Sequence, residues 1–140
     1  MDHDLDRYLS AQAPVYERVL GELRRGRKDS HWMWFIFPQV AGLGSSPTSV
    51  RYAIRSLEEA RAYLAHPVLG ARLRACARLV LDAEATSAEA MLGGIDARKL
   101  RSSMTLFHRA DPTEPVFPRV LDRWFGGGVD EATDLILARR

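Results

Sequence analysis

Apolar residues recur at intervals of three and four along most of this chain, and polar residues fill the positions between them. Tyr16, Val19, Leu20 and Leu23 form one such stripe, and Phe117, Val120, Leu121 and Trp124 a second. Leu69, Leu73, Cys76 and Val80 form another, and Leu100, Met104 and Phe107 a shorter one. This spacing keeps apolar side chains on one face of a helix, whereas strands would alternate every second residue. Boundary signals agree. Ser56 with Glu59 and Thr86 with Glu89 have the spacing of capping boxes. Pro14, Pro67 and Pro112 suit first helical positions, and Asp96, Asp111 and Asp130 suit N-caps. Gly26 suits the residue that closes a helix ending at Arg25. The pattern predicts helices near 4–12, 14–25, 57–65, 67–82, 87–92, 97–108, 112–125 and 130–138. The expected architecture is all-α: one helical domain over 1–140 with seven to eight helices.

Two segments depart from this pattern. Residues 31–38, HWMWFIFP, are apolar on every side, so periodicity does not separate a buried helix from a strand. With no partner strand elsewhere, a buried helical turn is expected, capped by Asp29 or Ser30 and ended by Pro38. On a helix, Trp32, Phe35 and Ile36 would share a side, with Trp34 and Phe37 elsewhere. Residues 39–49, QVAGLGSSPTS, read as a loop that leads into a turn opening at Pro47, with Ser46 as N-cap.

Composition narrows the functional classes. The chain has 140 residues and a net charge of +2, too mild for a dedicated nucleic-acid binder. Its start, MDHDLDRYL, lacks the apolar stretch of a secretory signal, and its longest apolar run is too short to cross a bilayer. A cytoplasmic protein without membrane association is expected, and oligomeric state stays open. Cys76 is the only cysteine, so neither an internal disulfide nor a cysteine zinc site can form. No histidine pair has helical metal-ligand spacing, and neither a metal nor a cofactor is expected.

Candidate chemistry collects around the two irregular segments. His31 opens the aromatic run and could exchange protons or donate to a ligand oxygen. It could equally satisfy a carbonyl at a helix start. The aromatics could stack a nucleobase, although such runs most often form core. Gly42, Gly44 and Ser45 permit close backbone approach to a phosphate, yet lack the P-loop lysine. Arg24, Arg25, Arg27 and Lys28 could contact phosphate or simply complement a helix C-terminus. Lys99 and Ser103 lie four apart, the spacing of a nucleophilic Ser–Lys pair or of polar residues at a helix contact.

The strings SHWMWFIFPQVAGLGSSPTSVRYAI, EARAYLAHPVLGARL and GIDARKLRSSMTLF resemble the bacterial domain-of-unknown-function family numbered 1810 over nearly the whole chain. That resemblance implies an all-α domain and little about activity. More distantly, the order of motifs is similar to the NADAR family of small helical proteins acting on ADP-ribose derivatives. Ser30-His31 stands where that family has Glu-His, followed by Ala65-His66-Pro67 to Arg72, Lys99 to Met104, and a Gly-Asp-type C-terminal helix. The second resemblance implies an N-glycosidase-like hydrolase of ADP-ribose conjugates or a related NAD-derived nucleotide. Lys28 would hold phosphate, Asp29 would stabilise oxocarbenium charge or activate water, and His31 would assist proton transfer. Trp32 would stack the base and Gly42 to Ser45 would wrap the diphosphate, with Gln39, Lys99 and Ser103 lining the same pocket. Because Ser30 occupies the glutamate position, the alternative is a non-catalytic module that binds a nucleotide or a protein in that pocket.

Overall fold

The stripes become helices. In the computed structural model, which describes residues 3–139, the order is α1 (Asp6–Gln12), α2 (Tyr16–Arg25), α3 (Met33–Ile36), α4 (Pro47–Arg51), α5 (Leu57–Ala65), α6 (Leu69–Asp82), α7 (Ala88–Leu92), α8 (Gly94–Ala110), α9 (Val116–Phe125) and α10 (Glu131–Ala138). Ten helices among the described residues exceed the seven to eight expected. The two beyond those are the single turns α3, at the buried helical turn expected within 31–38, and α4, at the turn expected to open at Pro47 behind Ser46. The one pairing of β type is an isolated parallel bridge between Val40 and Ile54.

Several caps shift from the expected residue, each for a visible reason. Ser87, not Thr86, accepts from the Ala90 amide at the start of α7. Asp96 lies inside the first turn of α8, where its carboxylate meets two lysines. Asp111 accepts from the Thr113 amide and hydroxyl, which makes a turn and delays α9 to Val116. Neither Asp29 nor Ser30 caps α3, because the backbone amides of both donate to Glu22. Ser46, Ser56 and Asp130 do cap their helices, and Gly26 closes α2 with φ of 70°.

The longest helix, α8, packs against α5, α7, α9 and α10, while α6 packs against α2, α5 and α9. One apolar cluster runs through these contacts from Tyr8 to Leu121 and takes in Leu100, Met104 and Phe107 from one face of α8. Trp32, Met33, Ile36 and Phe37 also enter it. The two aromatics left half-buried are Trp34 and Phe35, one from each of the two sides expected for a helix, while Trp32 and Phe37 are both buried.

Cys76 sits fully buried in the α6 stripe, and burial, only partly opposed by a Tyr16 hydrogen bond and the Arg72 charge, pushes its thiol up to about 12. The thiolate is the reactive form, so native labelling by a thiol reagent should be slower than labelling of the unfolded chain by orders of magnitude. Rapid native labelling would mean that α6 opens far more readily than its burial implies.

Candidate functional site

Two devices place the segments that flank α3. The first is the buried Glu22 of α2. Its Oε1 accepts from the Asp29 amide (2.6 Å), the Ser30 amide (3.0 Å) and the Trp32 indole N–H (2.9 Å). The Ser30 hydroxyl donates to Oε2. Burial pushes the Glu22 carboxyl up, but these hydrogen bonds outweigh it and bring it down to about 2. One side chain thus folds residues 29–32 back onto α2 and sinks Trp32 into the core. The second device is the Val40–Ile54 bridge. The Ala41 amide donates to the Ile54 carbonyl (2.8 Å) and the Ile54 amide to the Gln39 carbonyl (2.8 Å), which fixes the base of the 39–44 loop.

With those segments fixed, a groove of about 290 Å³ opens between the 34–44 region and α8. Ile95, Arg98, Lys99 and Ser102 form one wall, spaced i, i+3, i+4, i+7 along a single face of α8. Trp34, Gln39, Leu43, Gly44 and Asp130 complete the lining. A smaller recess of about 60 Å³ shares Trp34 and Lys99 and adds Lys28, His31, Trp32, Met33 and Asp96. A third hollow of about 40 Å³ lies under the loop beside Gly42 and Gly44.

The charged centre is a triad. Lys28 Nζ lies 2.9 Å from Asp96 Oδ2, and Lys99 Nζ lies 3.2 Å from Asp96 Oδ1. All three side chains are well covered, at 8% exposed for Lys28, 18% for Asp96 and 16% for Lys99. Each ammonium also faces an indole: Lys28 lies 5.1 Å from the Trp32 ring centre and Lys99 3.6 Å from that of Trp34. Burial pushes the Asp96 carboxyl up, but Lys28 and then Lys99 outweigh it and hold it below the usual carboxylate range. One carboxylate shared by two ammonium groups leaves one positive charge over; Arg98 adds another and Asp130 at the groove offsets one, so the lining carries a single net positive charge.

The residues expected to form one pocket divide. Gln39, Gly44 and Lys99 line the groove, Lys28 and His31 line the adjoining recess, and Gly42 lies under the loop. Asp29 stands apart, 54% exposed and paired with Arg25 (2.9 Å) and Arg27 (3.8 Å) on the outer surface. Trp32 is 1% exposed, with its indole N–H held by Glu22, so the indole on the groove is Trp34. Ser45 is exposed on the loop outside these hollows. Ser103 points into the core, where its Oγ has no hydrogen-bond partner among the described residues, and Ser102 is the hydroxyl on the groove. Ser102 Oγ also contacts Asp130 Oδ2 at 3.0 Å.

Arg98, Ser102, Asp96 and Asp130 were not among the residues singled out for binding or catalysis by sequence, and Trp34 entered only as one of the aromatics that could stack a nucleobase. The 95–98–99–102 spacing was legible, but it is a polar stripe opposite the apolar one, and such a stripe ordinarily means a solvated face. The basic run divides: Lys28 joins the triad, Arg27 pairs with Asp29, and Arg24 and Arg25 border a separate hollow of about 340 Å³ with Asp82 and Glu84, where the formal charges balance.

A family model described as "Protein of unknown function (DUF1810)" matches residues 2–137. The crystal structure of a conserved hypothetical protein from Mycobacterium tuberculosis is similar to this chain at 54% identity, covering 97% of each chain with a TM-score of 0.95. No curated protein matches the chain.

Proposed function

The chain belongs to the DUF1810 family of proteins of unknown function, and we propose that its groove binds a phosphorylated nucleotide-type ligand of the ADP-ribose class without cleaving it. The observation that carries this reading is the placement of Lys99, whose ammonium lies 3.6 Å from the Trp34 ring centre and 3.2 Å from Asp96 on the groove wall. A net positive triad with Arg98 beside it, offset in part by Asp130, favours an anion at the Lys99 end, and a partly enclosed groove strengthens that attraction relative to open water. Trp34 offers an aromatic surface to a base, the Gln39 amide can read a base edge or a ribose hydroxyl, and Gly42 and Gly44 let the loop backbone approach closely. Lys28 reinforces the positive end, and His31 can donate to a phosphate oxygen there.

Binding without cleavage is favoured by the state of the carboxylates. An N-glycosidase needs one free to activate water or to face the oxocarbenium carbon. Asp29 is paired with two arginines outside the groove, and Asp96 is held by two lysines. Asp130 Oδ2 accepts from Ser102 Oγ and from the Thr133 amide and hydroxyl.

Calorimetric titration with ADP-ribose, AMP, NAD and inorganic phosphate is the test, with chromatography of ADP-ribose conjugates incubated for hours. Saturable binding of at least one nucleotide, with the conjugates intact, is expected. Lys99→Gln should weaken that binding tenfold or more, about 1.4 kcal/mol per decade. No binding by any of the four would overturn the reading. Turnover abolished by Asp29→Asn would restore the hydrolase in its place.

A further inference from the structure

Resting on the ligand reading above, we propose that Lys28 is a positioning residue that keeps Asp96 charge-paired, so that Lys99 can leave Asp96 for the phosphate of a ligand. The triad poses a question that folding alone does not answer: why one carboxylate should hold two ammonium groups. A single lysine would neutralise it, and the second adds the cost of ordering another long side chain.

The two lysines are not equivalent. Lys28 belongs to the connection after α2 and is the more deeply covered, at 8% exposed. Its backbone amide donates to the Met91 carbonyl at 2.8 Å, which ties it to α7, and its ammonium lies over the buried Trp32. Lys99 lies on the face of α8 that lines the larger groove, against the half-buried Trp34. Of the two, Lys28 is built to stay and Lys99 is placed to reach a ligand.

An anion in the groove draws on Lys99, and drawing it away from Asp96 exposes the cost of the carboxylate left behind. Asp96 is covered on most sides, and a covered charge without a partner is strongly unfavourable. With Lys28 on Oδ2 at 2.9 Å, the carboxylate keeps a close partner when Lys99 leaves. Without Lys28, Lys99 becomes the sole lysine on Asp96 and resists release. Lys28 therefore raises affinity without touching the phosphate.

A double-mutant cycle separates this handover from a simple field effect. Inorganic phosphate and AMP are titrated calorimetrically into the parent protein, Lys28→Met, Asp96→Asn and the double variant, each first checked by its melting transition. The methionine keeps the apolar stem against Trp32. Lys28→Met should weaken binding at least tenfold in the parent background and less than twofold in the Asp96→Asn background, where Lys99 has no carboxylate to leave. Lys28→Arg should retain affinity within a few-fold of the parent. An equal loss from Lys28→Met in both backgrounds would reduce Lys28 to a distant positive charge and overturn the inference while the ligand reading stands. No loss in either background would also overturn it. If Lys28→Met unfolds, Lys28→Gln completes the same cycle. Absence of phosphate and AMP binding by the parent protein overturns the inference, and the nucleotide titrations above decide the ligand reading separately.

Discussion

Replacing Glu22 by alanine should lower stability by about 3–5 kcal/mol, a large part of what holds a domain of this size together. The argument is one of orphaned donors. Glu22 is 2% exposed and accepts from the Asp29 and Ser30 amides, the Ser30 hydroxyl and the Trp32 indole N–H. Truncation leaves those groups facing a small void, and each buried donor without a partner costs roughly 1–3 kcal/mol unless water reaches it. The melting temperature should fall by roughly 10–17 °C. The loss should extend to the groove, because residues 29–32 lead directly into α3 and Trp34. Hydrogen exchange should therefore quicken at the 29–34 amides ahead of those in α6. Glu22→Gln tests the charge separately: it keeps an acceptor but adds an N–H₂ where only donors converge, so it should cost less than alanine and still be clearly destabilising.

The same carboxyl makes stability depend on acid. Its folded value of about 2 lies below the 4.5 of an ordinary glutamate, so the unfolded chain binds its proton first. Its contribution is full above about 4.5, declines as the pH falls from there toward 2, and is gone below it. Urea titrations between pH 6 and 2.5 should show a steeper loss for the parent protein than for Glu22→Gln. Parallel curves would mean that Glu22 contributes no such linkage.

Why Glu22 escaped sequence reasoning is instructive. Its neighbours Val19 and Leu23 mark the buried stripe of α2, and a glutamate beside such a stripe reads as the polar edge of an amphipathic helix. Nothing local signals that a segment seven to ten residues later will return its donors to it. The stripes themselves were legible because they depend only on spacing within one element: Leu69, Leu73, Cys76 and Val80 are all buried. The groove depends on relations between elements. Lys28 and Lys99 were visible as candidates, but Asp96 joins them only because α7 and α8 carry residue 96 back against residue 28. Trp34 and Trp32 were separable in chemistry only after the Glu22 hydrogen bond showed which indole goes inward. Asp29 was given the acid's role by the NADAR resemblance, while α2 had already placed Arg25 one turn away to pair with it.

Arg7→Met should be the other severe substitution, at about 3–5 kcal/mol, the usual cost of breaking a buried ion pair from one side. Arg7 is 5% exposed and Glu59 1%, and they meet at 3.0 Å. The guanidinium also donates to the backbone carbonyls of His3, Asp4, Arg51 and Ala53 and to the Tyr8 hydroxyl. Methionine keeps much of the volume but removes every donor, which strands Glu59 with the Arg55 amide (3.1 Å) and the His3 imidazole (3.7 Å). A second change, Glu59→Gln, removes the stranded charge and should recover at least 1 kcal/mol. Urea midpoints at constant m value measure both steps, since a change in m would signal an altered unfolded ensemble instead. The consequence reaches the groove through the chain: Arg7 holds Arg51 and Ala53, the next residue is Ile54, and Ile54 holds the Gln39–Ala41 backbone. Exchange of the Ala41 amide should thus accelerate in Arg7→Met by more than that of amides in α9, which packs on α6 and α8. Uniform acceleration across both elements would mean that Arg7 supports the fold as a whole and has no particular hold on the 39–44 loop.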